Sequence, residues 1–206
     1  GAPADIRYSH QPHVGTDILK QVVKSMREQI IALGGQVRFE AKVTELLMTG
    51  GQLSGVVING SERLYAQAVI LAVGHSARDT FAKLVEQGIE VMPKAFAIGV
   101  RVEHPQQMIS DSQYGQFAQF LPPADYKLTH LAKNGRHVYT FCMCPGGDVV
   151  AAASEEGGVV TNGMSYHARA GQNANSAVVV GVDPSDFGSI DPLAGMVFGG
   201  IYQATQ

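Results

Sequence analysis

Ala68-Val69-Ile70-Leu71-Ala72-Val73-Gly74 is the stretch on which the reading of the fold turns. Six consecutive apolar residues, without the polar alternation of a half-exposed strand, predict a strand buried on both faces of a parallel sheet. Gly74 ends the run. Open α/β sheets bind ligands beyond the carboxyl ends of such strands, and a glycine there lets the backbone approach a ligand closely. The plainer reading of Gly74 is a tight strand-to-helix turn, and the residues alone leave the two level.

Upstream lie three β-rich runs, Val43 to Met48, Leu53 to Ile58 and Arg63 to Ala66, separated by Gly50-Gly51 and Asn59-Gly60. Asn-Gly supplies two positions tolerant of positive φ, so residues 42–66 read as an antiparallel meander. Val37-Arg38-Phe39 reads as a short strand before it. Further upstream, Ile18, Leu19, Val22, Val23, Met26, Ile30 and Leu33 recur at helical spacing and predict a helix over 16–33. Thr16 is expected to cap it, Asp17 suits its positive end, and Gly34-Gly35 stops it. Downstream of Gly74, Ser76 with Asp79 has capping-box spacing and opens a helix to about Gln87.

After Pro93 the texture changes. Short strands (Phe96 to Val102, Val138 to Met143, Val149 to Ala152, Ala177 to Val182) alternate with loops rich in Gly, Asn, Ser and Pro, and a helix is expected near Pro105 to Asp111. A domain boundary falls near residues 91–95.

Composition narrows the functional classes. Hydrophobic residues are 45% of the 206 and charged residues 16%, which is globular rather than disordered. With a net charge of −3 and scattered Lys and Arg, no basic stripe for nucleic acid is present. No apolar run is long enough to span a membrane, and residues 1–10 lack the order of a signal peptide. Cys142 and Cys144 are too few and too close for a disulfide framework. A soluble cytoplasmic protein is expected, with no membrane or nucleic-acid partner.

Several stretches together resemble a known family. The segment Gly35 to Val43, the meander and Ala68 to Gly74 are similar to the two-dinucleotide-binding-domain flavoproteins, whose FAD domain closes on an Ala-Thr-Gly motif; here Val73 stands at the Thr position. Pro12-His13-Val14-Gly15-Thr16-Asp17, Gly74-His75-Ser76-Ala77-Arg78-Asp79-Thr80-Phe81 and Phe96-Ala97-Ile98-Gly99-Val100-Arg101 resemble the bacterial FAD-dependent, NAD-utilising dehydrogenases. So do Tyr139 to Gly147 and Thr161-Asn162-Gly163-Met164-Ser165-Tyr166. The resemblance implies a mixed α+β and α/β fold: a partial FAD-binding domain (helix, β-meander, parallel strand) over 1–92, and a β-rich inserted substrate domain over 93–206. It implies that the Val43 backbone contacts the FAD adenine and that Gly74 and His75 lie beside the diphosphate or ribityl chain. Electrons are then expected to pass between enzyme-bound FAD and either a small organic substrate or NAD(P)H.

A Gly-x-Gly-x-x-Gly turn, which seats a dinucleotide's phosphates on a helix N-terminus, is absent from the sequence. The chain therefore reads as an internal fragment, inactive alone, isolated without FAD and completed by the rest of the FAD domain. Gly199-Gly200 reads oddly for a helix start and suggests a join.

The remaining candidates face the substrate. Arg78 stands with His75 at the mouth of the expected crevice, although either residue can simply decorate the helix. Cys142 and Cys144 suggest a redox pair, but alternate positions at a strand end favour a structural role. Asn162, Ser165 and Arg169 sit in a polar loop that either grips a substrate or merely stabilises its own turns. His130 and His137 with the cysteines do not have zinc-site spacing, so no metal is expected. Two rival readings are a non-catalytic module that holds a small molecule or peptide, and a flavoprotein acting on tRNA; the second is disfavoured by the missing basic surface.

Overall fold

Two glycine-bearing turns organise the first sheet. β1 (Val43–Thr49) and β2 (Gln52–Ile58) are joined through Gly50 and Gly51 at φ +58° and +78°. β2 and β3 (Glu62–Tyr65) are joined through Asn59 and Gly60 at +50° and +75°, with Ser61 N–H returning to Ile58 O at 3.1 Å. Both are the mirror-image turns whose twist suits a hairpin. The three strands form one antiparallel sheet in the order β1-β2-β3, with Val56, Val57 and Ile58 buried in the central strand. The expected meander is therefore present.

The molecule is described from a computed structural model covering all residues except Gly1, Gln11, Thr205 and Gln206, and the backbone alone over 201–204. It divides into two compact units, described separately: Arg38–Ala95 with Asp183–Tyr202, and Gly1–Val37 with Phe96–Val182.

In the first unit, α2 (Arg78–Glu86) packs on β1. Its N-cap is Ala77, which makes no side-chain capping bond, so the expected Ser76–Asp79 box does not form. Asp79 pairs with Lys42 instead. The unit also holds all but the last two residues of α4 (Ala194–Ala204), which runs through Gly199 and Gly200; the suspected join lies inside a helix. The largest correction concerns residues 68–73, which form no strand, and Ile70 is 92% exposed. An apolar run becomes a strand only when neighbours take up its backbone N–H and C=O groups, and no described residue does so. Val37-Arg38-Phe39 likewise forms no strand; Arg38 is held by a two-pronged bond to Glu62 at 2.9 and 2.7 Å.

In the second unit, α1 spans Thr16–Ala32. Gly15, at φ +84°, is its N-cap, so Thr16 lies inside the helix rather than capping it. Gly34 takes φ +89° and Gly35 N–H returns to Ile30 O at 2.9 Å, closing the C-terminus as the double glycine predicts. No residue of α1 is buried, and Leu19, Val23, Met26 and Ile30 lie exposed along one face.

The sheet of this unit has the order β4-β9-β6-β5 and is antiparallel throughout. β4 (Phe96–Pro105) and β9 (Asn173–Val182) pair over their full length, from Phe96–Val182 to Pro105–Asn173. β6 (His137–Thr140) lies on the other side of β9, and β5 (Thr129–Leu131) is outermost. α3 (Gln106–Tyr114) follows β4 directly. β7 (Gly147–Ala151) and β8 (Thr161–Ser165) form a separate hairpin. The polar stretch read as a long loop is thus mostly this hairpin and the start of β9, which begins four residues earlier than the apolar run suggests. Among the described residues no helix is long and apolar enough to cross a membrane.

Candidate functional site

The register of β4 on β9 decides which side chains meet. Arg101 lies opposite Ala177 and Glu103 opposite Asn175, so Arg101 and Asn175 are diagonal neighbours on one face of the sheet. Arg101 Nη1 donates to Asn175 Oδ1 at 2.8 Å. Asn175 is fully buried, and its backbone bridges to Cys144: Cys144 N–H donates to Asn175 O at 2.8 Å. β8 passes over this point with Gly163. A methyl there would run into Asn175 Oδ1 and would lie 2.6 Å from Arg101 Nη1 and 2.9 Å from Cys144 Sγ. A hydrogen at this position is what allows the amide, the guanidinium and the thiol to gather.

A buried network fixes the adjoining turn. Gln106 donates to Ala124 O at 2.9 Å and accepts from Gly146 N–H at 3.0 Å, while Ser165 Oγ donates to Pro145 O at 3.0 Å. Gly146, at φ +55°, lies so close to the Arg169 carbonyl that any side chain there would strike it. Arg169 itself is held at φ +49°, a left-handed conformation uncommon outside glycine. The 165–169 segment is then tied to the start of α1: His167 N–H donates to Asp17 Oδ1 at 2.9 Å, Thr16 Oγ1 donates to Ser165 O at 3.2 Å, and His13 Nε2 donates to Tyr166 O at 2.9 Å. The His167 amide holds the Asp17 carboxyl below its ordinary range.

The structure therefore brings together Cys144, Ser165 and Arg169 with Asn175, from the amide-rich stretch 172–176, and adds Arg101, which the sequence alone does not single out as a site residue. Burial pushes the Cys144 thiol above its ordinary pKa, against the opposing pull of Arg101 and Arg169. Cys142 is exposed, and both cysteines are free thiols. Asn162 is exposed, its side-chain oxygen accepting from the next residue's N–H, Gly163, at 2.8 Å. Among the described residues no three His, Cys, Asp or Glu side chains converge as a metal site requires.

The cofactor-side candidates lie in the other unit. Val43 lines a cavity of about 290 Å³ between β1 and α2, together with Lys42, Leu46, Leu71, Lys83 and Gln87. Gln87 closes part of its wall: its amide accepts from Leu46 N–H at 3.0 Å and donates to Leu46 O at 2.8 Å, pairing with β1 as a neighbouring strand would. Gly74 takes φ +74° with no atom within 4 Å of the position a side chain would fill, and His75 is exposed beside Ser76. The backbone at Gly74 is thus open, and Val43 lines a small cavity. Arg78 Nη1 donates to Met196 O at 3.1 Å and lies against Gly200, where a methyl would sit 2.8 Å from it. Its guanidinium thus engages α4.

Residues 95–204 match the model of the family described as FAD-dependent protein, C-terminal domain-like. The chain belongs to that family. Two curated relatives are similar to the chain. It is 52% identical over 207 residues to an uncharacterized protein of Clostridium beijerinckii, covering 99% of the present chain and 39% of that protein. It is 29% identical over 148 residues to the digeranylgeranylglycerophospholipid reductase of Haloferax volcanii, covering 71% of the chain and 34% of that reductase. The chain thus spans well under half the length of these curated relatives.

Proposed function

We propose that this chain is part of a flavin-dependent oxidoreductase of the NAD-utilising, two-dinucleotide-domain type, carrying its substrate side on the β4–β9 sheet and a portion of its FAD-binding domain on β1–β3 and α2. The observation that carries the reading is the family match over 95–204, the stretch that supplies Arg101, Cys144, Ser165, Arg169 and Asn175. A reductase among the relatives supports the class of reaction. The rest of the FAD domain is the proposed partner. Two exposures support it: among the described residues no strand flanks the apolar run 68–73, and α1 has an exposed apolar face.

Bound flavin would accept or donate the hydride, leaving the protein to supply orientation and electrostatics. On this reading Val43 and Gly74 present backbone to the adenine and diphosphate portions, and His75 lies alongside. Arg101 and Arg169 face the substrate, with Ser165 and Cys144 beside them. Alone, the chain is expected to be inactive.

The test is a visible spectrum of the complete gene product beside this chain, each with added FAD. Flavin absorbance in the complete protein alone supports the proposal, and anaerobic NADH or NADPH should then bleach it. A complete protein that retains no flavin overturns the oxidoreductase reading in favour of a non-catalytic binding module.

A further inference from the structure

Three buried hydrogen-bond donors in the Arg101–Asn175 cluster have no acceptor: Arg101 Nε, Arg169 Nε and Asn175 Nδ2. Asn175 is fully buried, and its oxygen is already taken by Arg101, which fixes the amide with its NH₂ as the unpartnered end. Among the described residues neither guanidinium meets a carboxylate within 4 Å. Both act electrostatically on Cys144, which places the two positive charges around one thiol. Burial raises the pKa of that thiol, which favours its uncharged form. Leaving such donors unsatisfied costs free energy, more for charged groups than for neutral ones. In native folds a buried donor of this kind calls for a partner, such as a bound water or an ion.

We infer that Arg101, Arg169 and Asn175 form a binding site for the oxyanion of a small molecule, a carboxylate or a phosphate. An acceptor-only group is the chemical complement of three donors without acceptors, and a guanidinium pairs with it by charge-assisted hydrogen bonds. The backbone supports the arrangement: β4 and β9 hold Arg101 and Asn175 on one rigid face, β8 packs closely over them at Gly163, and Gln106 with Gly146 holds the turn that carries Arg169. The binding claim stands on these residues alone. Its assignment to the substrate of a flavin reaction rests on the function proposed above.

The experiment follows the Nε–H resonances of Arg101 and Arg169 in the intact chain during separate titrations with acetate, succinate and inorganic phosphate at constant ionic strength, with chloride as the control. The site requires a saturable shift of both resonances with at least one oxyanion and none with chloride. Saturation by acetate or succinate assigns a carboxylate, and saturation by phosphate alone assigns a phosphate. Arg101→Gln and Arg169→Gln should each weaken that binding by about tenfold or more. Arg101→Lys, which keeps the charge but loses the fork, provides the same reading if the glutamine variant does not fold. No saturable shift, or saturation unchanged in the variants, overturns the inference. Flavin binding by the complete protein is read independently, so either claim can fail without the other.

Discussion

At Gly163 a single hydrogen atom separates the site from a collision. Gly163→Ala would push on an amide, a guanidinium and a thiol at once, and none is the free end of a solvent-exposed chain. Overpacking of this kind typically costs about 1–3 kcal/mol, so the urea midpoint of the variant should fall while the denaturant slope stays unchanged. The two thiols offer a second expectation. Cys142 is exposed, whereas burial raises the Cys144 pKa and depletes its thiolate. Iodoacetamide at neutral pH should therefore label Cys142 well before Cys144, as peptide mass spectrometry would reveal; equal rates would mean that Cys144 is not shielded. Cys144, Ser165 and Arg169 stand out in the sequence because polar or reactive side chains near glycines attract attention. Arg101 does not, and Asn175 does so only as one of an amide-rich stretch. Arg101 ends an apolar run, that stretch resembles a turn, and only the pairing of two strands over 70 residues apart buries them together.

Among the elements, the hairpins and the carboxyl-terminal stop of α1 were the most legible, because their signals are local. The Asn59-Gly60 turn and the Gly34-Gly35 stop need only the φ preferences of one or two residues. The strand expected over 68–73 was not, since apolar composition states what a segment can bury but not whether a partner is present to pair with it. The start of α1 likewise depends on remote residues. Its Asp17 accepts from the His167 amide, and that bond lowers the carboxyl's pKa in the folded chain. The resulting stabilisation is fully present above the unfolded value of about 3.9 and is lost as pH falls through the lower folded value. The His167 amide resonance should therefore shift on acidification below that unfolded value, and Asp17→Asn should remove the transition. In the other unit, Gln87→Ala would remove both bonds to Leu46 and leave β1's groups exposed to the cavity. A loss of about 1–2 kcal/mol is expected, together with faster hydrogen exchange at Leu46.

For the molecule as a whole, uncovered apolar surface is the dominant feature. Ile70 and one face of α1 lie open in separate units, and exposed patches of this kind mark surfaces that another part of a protein covers. If the remainder of the proposed oxidoreductase provides that cover, the chain alone should bind a hydrophobic dye such as ANS strongly, and the complete protein should bind it weakly. Equal dye binding by both would mean that these surfaces stay open. The exposure also gives the Gln87 amide a second consequence. β1 is an outer strand, and an outer strand is where identical chains begin to stack into fibrils. A newcomer seeking the Leu46 peptide would first have to displace a side chain of the same chemical form already seated there, so one glutamine guards the edge of the sheet against templated polymerisation.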